Sequence, residues 1–218
     1  MIRWCTAPSP RCWRKSCQED NARYTIRGAT QTMEETMNNA APLPFEKAFW
    51  IIPGKLMGGC YPGASDLQKA EQKLRGLLDH GVSHVVNLME ENEVDHGGRP
   101  FVPYQEMLQS LAEAQGRQVT CVRYPIPDLG VPSREQMRAI LDDMDAAIAA
   151  GKTVYLHCWG GVGRTGTVAA CYLARHGMAE GPAVLDRLAE LRLAAHLDKP
   201  APETEAQRKM AVSWKKGE

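Results

Sequence analysis

A short apolar segment that opens into a glycine-rich loop constrains the fold of this chain more than any other feature. Residues 153–156 (Thr-Val-Tyr-Leu) have the composition of a short buried strand, and the loop that follows contains Gly160, Gly161 and Gly163. A helix is predicted to begin near Arg164 and to end by Gly177. A strand that passes through a tight loop into a helix is a building unit of α/β sheets, and ligands bind at this end of such sheets.

The rest of the chain repeats the same alternation of strands and helices. Asp66 and Ser133 are suitable N-caps for two of the helices, and Gly81 and Gly151 end them. We predict an α/β fold with a central, mostly parallel sheet flanked by helices on both faces. The predicted elements are a hairpin within residues 49–59, helices over 67–80, 104–115, 134–150, 180–195 and 203–216, and strands over 82–88 and 119–124.

The first 43 residues differ from the remainder. They show no sustained period of 2 or 3.6 residues, and they end in a proline-flanked stretch. We therefore predict a disordered or loosely attached tail over residues 1–43 and a single folded domain over residues 44–218, which is the size that one hydrophobic core supports.

Composition excludes several classes of partner. The 26 basic and 26 acidic residues balance, so charge indicates neither a nucleic-acid nor a membrane partner. No run of about 18 apolar residues is present. The seven cysteines are irregularly spaced and contain no Cys-x-x-Cys pair, so neither a disulfide framework nor structural zinc is expected. These features predict a cytoplasmic protein, with a monomer as the favoured state.

The glycine-rich loop has the properties of an anion site with a reactive thiol at its base. Backbone amides of such a turn can converge on one point, and the following helix contributes about half a positive charge at its start. Near helix N-termini and cations the pKa of a cysteine thiol falls from about 8.5 to roughly 3.5–7.5. We therefore expect Cys158 to be a thiolate and the nucleophile. The residues expected to bind a phosphate group are Trp159, Gly160, Gly161, Val162, Gly163 and Arg164.

Three side chains around the loop have predicted roles. Arg164 follows Cys158 by six positions, so a loop closed around phosphate would bring its guanidinium across the mouth, where it can bind two phosphate oxygens. Thr165 can donate its hydroxyl to the cysteine sulfur. His157 is expected to fix the loop by hydrogen bonding.

Taken together, the motif His-Cys-x-x-Gly-x-x-Arg-Thr at residues 157–165 resembles the signature of the protein tyrosine phosphatase superfamily, in its compact dual-specificity-like branch. Segments 50–59, 87–91, 125–133 and 202–207 are similar to bacterial members, so the resemblance spans about residues 45–216. It implies a phosphatase fold, hydrolysis of phosphate monoesters through a phosphocysteine, and no metal or cofactor. The implied substrates are phosphorylated proteins or small phosphate esters.

A general acid should lie opposite the thiolate, because the leaving oxygen must be protonated. Asp128 is the candidate: it lies in a proline-stiffened loop, residues 125–132, at the carboxyl end of the 119–124 strand. The resemblance places the acid about thirty residues before the nucleophile, as here. As a carboxylate, Asp128 would then take a proton from the attacking water.

Other acidic residues leave alternatives open. Glu90, Glu91 and Glu93 follow the 82–88 strand and either contact the substrate or face solvent. Residues 203–207 resemble the short glutamine-containing element that orients hydrolytic water in some relatives, but Glu203 replaces its first glutamine. Glu203 and Gln207 therefore either position water or form the N-terminal cap of a helix.

Three other functions compete with a protein phosphatase. A phosphoinositide or inositol-polyphosphate phosphatase would use the same nucleophile and arginine, but residues 159–163 are uncharged, whereas enzymes that accept polyanions tend to place lysines there. A sulfurtransferase also uses a cysteine in an anion-binding loop, usually a shorter one. A catalytically inactive phosphate-binding module would lack catalytic residues that this sequence retains.

Overall fold

The computed structural model describes residues 43–218. The first two strands in this range form the predicted hairpin. Strand β1 (Ala48–Ile52) pairs antiparallel with β2 (Leu56–Gly59). The turn between them contains proline and glycine, which favour a reversal of the chain. The hairpin therefore forms where the sequence predicts it.

A five-stranded sheet organises the domain. Its strand order is β1-β2-β5-β3-β4, with β3 at Val82–Asn87, β4 at Thr120–Arg123 and β5 at Thr153–His157. All pairs except β1–β2 are parallel, which confirms the predicted mostly parallel sheet. Because the carboxyl ends of parallel strands meet at one edge, the residues that follow β2, β3, β4 and β5 lie close together.

Helices cover both faces of this sheet, as predicted. Helices α1 (Leu67–Asp79) and α2 (Gln105–Glu113) pack on one face, where Tyr155 of β5 belongs to their core. The other face carries Val154 and Leu156 and packs mainly against α3 and α4. This alternation along β5 is the two-residue period of a strand buried on both sides. The remaining helices are α3 (Arg134–Ala149), α4 (Gly163–Arg175), α5 (Ala183–Leu193) and α6 (Glu205–Ser213).

Side-chain caps fix several helix starts. The Asp66 carboxylate accepts hydrogen bonds from Gln68 N and Lys69 N, and the Ser133 hydroxyl accepts one from Gln136 N, as the sequence indicates. The predicted helix over 203–216 is too long at both ends. Thr204 caps α6, and the buried Trp214, which has an extended backbone and lies beneath the Arg134 guanidinium, ends it.

Residues 1–42 lie outside the described residues. The predicted tail, with Cys5, Cys12 and Cys17, falls there, so the domain boundary at residue 44 stays a prediction. Across residues 43–218, none of the helices combines the length and the apolar character that a transmembrane passage requires.

Candidate active site

Strand β5 delivers Cys158 to the carboxyl edge of the sheet, immediately before the N-terminus of α4. The Cys158 side chain is buried, with 3% of the residue exposed. The hydroxyl of Thr165, in the first turn of α4, donates a hydrogen bond to the Cys158 sulfur at 3.1 Å. This is the contact that the sequence predicts, and it places a donor where a thiolate would need stabilisation.

The loop between Cys158 and α4 packs closely against the end of β2. Gly161 has a positive φ of 69°, and a Cβ atom there would lie 2.5 Å from the carbonyl carbon of Gly59. The backbone N–H of Tyr61 donates to the carbonyl oxygen of Trp159 at 2.8 Å. Only glycine fits at position 161, so the loop can follow this path because of its sequence.

His157 is a neutral side chain that forms a hydrogen bond to the backbone of the loop. Burial lowers the pKa of His157 to about 3, and the nearby charges of Lys73, Arg123 and Arg164 act in the same direction. Its Nδ1 lies 3.1 Å from the carbonyl oxygen of Cys158, which can only accept, so Nδ1 carries the proton. Nε2 then accepts from the Tyr104 hydroxyl at 2.6 Å. The predicted loop-fixing contact is therefore present.

Arg164 lies in the first turn of α4 and is only 2% exposed, and both terminal nitrogens of its guanidinium are engaged. Nη1 donates to the carbonyl oxygen of Ile126 at 3.0 Å and to the Glu93 carboxylate. Nη2 donates to the second oxygen of Glu93 at 3.1 Å and lies 2.9 Å from the Asp128 carboxylate. Burial acts to lower the pKa of Arg164, but the Glu93 hydrogen bond and the charges of Cys158, Glu93 and Asp128 outweigh it and raise the pKa.

Glu93 is the member of this site that sequence reasoning missed. Of the two alternatives considered for it, exposure to solvent is wrong, because its side chain is only 10% exposed and its carboxylate forms a bidentate pair with Arg164, whereas substrate contact stays a prediction. The backbone N–H of Glu90 also donates to it, at 2.9 Å. Arg123, at the end of β4, donates to the carbonyl oxygens of Met89 and Glu90 at 3.0 Å and so fixes the segment that carries Glu93.

We expect Glu93→Gln to lower kcat/KM for an aryl phosphate by about tenfold, mainly through a higher KM. The amide keeps the size of the side chain but removes the charge that orients Arg164, and misplacing a positioning group by about 1 Å can cost up to about 10²-fold. Steady-state kinetics of Glu93→Gln beside the exposed neighbour variant Glu91→Gln would measure the effect. Equal kinetics in the two variants would show that the pair with Arg164 is dispensable.

Asp128 lies in the loop after β4, beside the guanidinium of Arg164, with a side chain that is 53% exposed. Two hydrogen bonds fix the backbone of this loop. The Gly130 N–H donates to the carbonyl oxygen of Pro127 at 2.9 Å, and the Gln136 amide donates to that of Pro125 at 2.8 Å. The structure thus brings Asp128 to the same sheet edge as Cys158, and its carboxylate lies 2.9 Å from the guanidinium of Arg164.

Gln207 anchors this loop to α6. It is fully buried: its amide nitrogen donates to the carbonyl oxygen of Gly130 at 3.0 Å, and its amide oxygen accepts from Glu203 N and Thr204 N. A Cβ atom on Gly163 would lie 3.0 Å from the same amide. Glu203 pairs with Lys199 at 2.7 Å. The amide of Gln207 is thus occupied by backbone groups, so the structure favours the helix-cap interpretation over water positioning.

The side chain of Trp159 packs beside the loop. Its ring lies 4.3 Å from that of His96 and 5.4 Å from that of Phe101, measured between ring centroids. These three residues line a cavity of about 390 Å³, together with Tyr61, Ala64, Ser65, Asp95, Gly97, Arg99, Pro100 and Val102. The indole of Trp159 is thus engaged in aromatic packing, and binding of phosphate by residue 159 stays a prediction.

The other described cysteines are reduced, and two of them are suited to packing rather than chemistry. Cys171 is fully buried on α4, and burial raises its pKa far above the usual range. Burial also raises the pKa of Cys121 to about 11. Cys60, which follows β2, has its pKa raised in the same way. Within residues 43–218 no three His, Cys, Asp or Glu side chains are grouped as metal ligands would be.

Comparisons with known proteins agree with this geometry. A family described as "Swiss Army Knife protein, DSP-PTPase phosphatase domain" matches residues 46–214. The putative tyrosine phosphatase 067L of Invertebrate iridescent virus 3 is 30% identical over 132 residues, which are 59% of this chain and 46% of that protein. The chain spans less than half the length of the curated relatives reported as similar.

Solved structures show the same architecture. The crystal structure of Tk-PTP in its active form is 28% identical, with a TM-score of 0.53 over 75% of this chain and 92% of that one. The structure of PTPMT1 in complex with PI(5)P has a TM-score of 0.56 over 78% and 94% of the two chains, but only 18% identity, so it supports the fold alone. The match over residues 46–214 establishes that this chain belongs to the cysteine-dependent protein tyrosine phosphatases of the dual-specificity type.

Proposed function

We propose that the chain hydrolyses phosphate monoesters through a phosphocysteine on Cys158. The observation that supports this most directly is the arrangement of three groups around one point: the Cys158 sulfur with its Thr165 donor at 3.1 Å, the guanidinium of Arg164, and the Asp128 carboxylate 2.9 Å from that guanidinium. A nucleophile, a cation for the phosphoryl oxygens and a proton donor at one sheet edge are the components of phosphoryl transfer to a side chain.

In the first step, the Cys158 thiolate attacks phosphorus and the bond from phosphorus to the ester oxygen breaks. Asp128, which takes up a proton from solvent once the phosphate has displaced it from Arg164, gives that proton to the ester oxygen, so the alcohol leaves neutral. The phosphate oxygens accept hydrogen bonds from the loop amides and from the guanidinium of Arg164. Because Arg164 is paired with Asp128 in the free enzyme, the entering phosphate replaces the aspartate at Nη2 and frees it for the leaving group.

In the second step, water attacks the phosphocysteine. Asp128, now a carboxylate, removes a proton from the water, the bond between sulfur and phosphorus breaks, and inorganic phosphate leaves. The departing sulfur carries the negative charge. The Thr165 hydroxyl at 3.1 Å donates to that sulfur and so stabilises it as a leaving group.

Phosphorylated proteins, with phosphotyrosine and phosphoserine or phosphothreonine side chains, are the substrates we propose. Glu90 and Glu91 are exposed on the segment that follows β3, whereas Glu93 and Asp95 on that segment are paired with Arg164 and Arg99. Acidic side chains at a rim repel substrates that carry several phosphates. The uncharged loop residues 159–163 act in the same direction, against an inositol polyphosphate.

Comparing rates on a phosphotyrosine peptide, a phosphoserine peptide, inositol phosphates and thiosulfate would test this proposal. We expect turnover of phosphopeptides that vanadate inhibits and a metal chelator leaves unchanged. Faster turnover of inositol phosphates would favour the lipid or inositol class, and thiosulfate turnover would favour a sulfurtransferase. Failure to hydrolyse any phosphate ester would point to a phosphate-binding module.

A cytoplasmic location and a monomeric state belong to this proposal. The seven cysteines are irregularly spaced and indicate no disulfide framework, which is usual in a reducing compartment. The balanced charge of the chain supports no nucleic-acid or membrane surface as a partner. Size-exclusion chromatography with light scattering would measure the oligomeric state.

A further inference from the structure

Arg192 is a buried cation to which the chemistry above assigns no role. It lies near the end of α5 on the same helix face as Val184 and Leu188, and only 3% of the residue is exposed. Arginine is almost never this buried unless it is paired with an opposite charge or fully hydrogen-bonded. The contacts of Arg192 therefore indicate what its charge is for.

Neutral groups make up the direct contacts of the Arg192 guanidinium. Nη1 donates to the carbonyl oxygen of Gly161 at 2.8 Å, and Nη2 donates to that of Lys199 at 3.4 Å. The guanidinium carbon lies 5.2 Å from the centre of the Phe49 ring. Nε has no hydrogen-bond partner, and among residues 43–218 no carboxylate forms an ion pair with this side chain.

Cys158, the proposed nucleophile, is the group whose negative charge acts on Arg192. Burial lowers the pKa of Arg192, and the charge of the Cys158 thiolate is what counteracts it. The geometry agrees, because the carbonyl oxygen that Arg192 binds belongs to Gly161, in the same short loop as Cys158, and a fixed positive charge near a thiol favours its thiolate form. The Arg192 guanidinium is thus bound to a carbonyl of the loop itself, whereas the Arg164 guanidinium is bound to Glu93, Asp128 and the carbonyl oxygen of Ile126.

The hydrogen bond to Gly161 also orients the loop. Because a peptide unit is planar and trans, the Gly161 carbonyl and the Val162 N–H point in opposite directions. With the carbonyl held toward Arg192, the Val162 N–H is directed to the other side of the loop. A carbonyl turned the other way would instead present negative charge to a phosphate.

We propose that Arg192 is a second, buried cation of the phosphate site, which orients the loop through Gly161 and stabilises the Cys158 thiolate and the bound phosphate without touching either. It is a positioning residue, and this inference rests on the proposed function. Two properties of the side chain, its charge and its donor to Gly161, can be separated by substitution. Lysine keeps the charge, glutamine keeps a donor, and methionine keeps neither.

Alkylation of Cys158 by iodoacetamide as a function of pH tests the charge directly. The midpoint of the rate profile should rise by about one pH unit in Arg192→Met and Arg192→Gln and stay near the wild-type value in Arg192→Lys. Inhibition by inorganic phosphate should weaken by about tenfold in the two neutral variants. The matched control is Arg187→Met on the same helix, whose arginine is exposed and paired with Glu190.

Other ionisable groups face the same space and are unchanged in all variants. They are Arg164, Asp128, Glu93, Cys60, His157 and Tyr155 near Cys158, and Glu46, Lys47, His196, Asp198 and Lys199 near Arg192. Midpoints of Arg192→Met and Arg192→Gln equal to that of Arg187→Met would overturn the proposal.

Circular dichroism would establish that each variant is folded. Loss of folding in all three Arg192 variants would overturn the inference as well, because the residue would then be purely structural. The alkylation readout does not depend on turnover. An enzyme inactive on every phosphate ester would refute the proposed function while the coupling of Arg192 to Cys158 was still measured.

Discussion

Cys158→Ser is expected to lower the hydrolysis of an aryl phosphate by at least about 10⁴-fold. A serine hydroxyl in this loop would remain protonated at neutral pH and would be a far weaker nucleophile than a thiolate. The ring nitrogens of His157 could not serve as its base, because they are engaged with the Cys158 carbonyl and with Tyr104. The fold should survive, because the two side chains are close in size. Steady-state rates with p-nitrophenyl phosphate would measure the loss.

A second measurement identifies the intermediate. Rapid acid quench of the wild-type enzyme with substrate, followed by mass spectrometry of the peptide that contains residue 158, should show the mass of one added phosphoryl group. Cys121→Ser is the matched control, since Cys121 lies half-buried in β4 away from the loop. Residual activity of Cys158→Ser near that of Cys121→Ser would exclude Cys158 as the nucleophile.

Asp128→Ala is expected to reduce kcat/KM, which reports the steps up to formation of the phosphocysteine, by about 10²–10⁴-fold for an alkyl phosphate and much less for p-nitrophenyl phosphate. An alkoxide is a strong base and needs a proton as it leaves, whereas p-nitrophenolate leaves without one. The alanine variant also lacks the base for the second step. With a good leaving group, we therefore expect the phosphocysteine to accumulate, so that its yield in the quench experiment rises above the wild-type yield.

The leaving-group dependence is what separates a general acid from a loop-stabilising aspartate. Rates for a series of aryl and alkyl phosphates, plotted against the pKa of the leaving alcohol, should slope more steeply for Asp128→Ala than for the wild type. Asp142→Asn is the control, because Asp142 is exposed and pairs with Arg175. Parallel slopes would mean that Asp128 does not protonate the leaving oxygen.

Regular elements of the fold were predictable because their signals are local. The helical stripe of α3 and its Ser133 cap, and the apolar run of β5, lie within single segments of the chain. Helix ends were less predictable: α6 stops at Ser213 rather than at 216, because Trp214 turns into the core beneath Arg134. That contact joins residues 80 positions apart and leaves no local pattern.

The candidate site divides in the same way. Cys158, Thr165 and His157 act within one strand-loop-helix unit, so their mutual contacts follow from spacing. Glu93, which pairs with Arg164 across 71 positions, gave no such signal. Neither did Arg192, whose place in α5 is typical of an ordinary exposed helical arginine.

The sequence by itself determined the chemistry of this protein: a thiol at the base of a glycine-rich loop, an arginine six residues later, and an acid in a proline-stiffened loop upstream. Tertiary structure alone decided which charges surround that thiol. Glu93 and Asp128 both pair with Arg164, and Arg192 donates a hydrogen bond to the carbonyl oxygen of Gly161. The reason is physical: backbone path and residue spacing fix neighbours within a loop, whereas a buried charge finds its partners only when distant elements pack together.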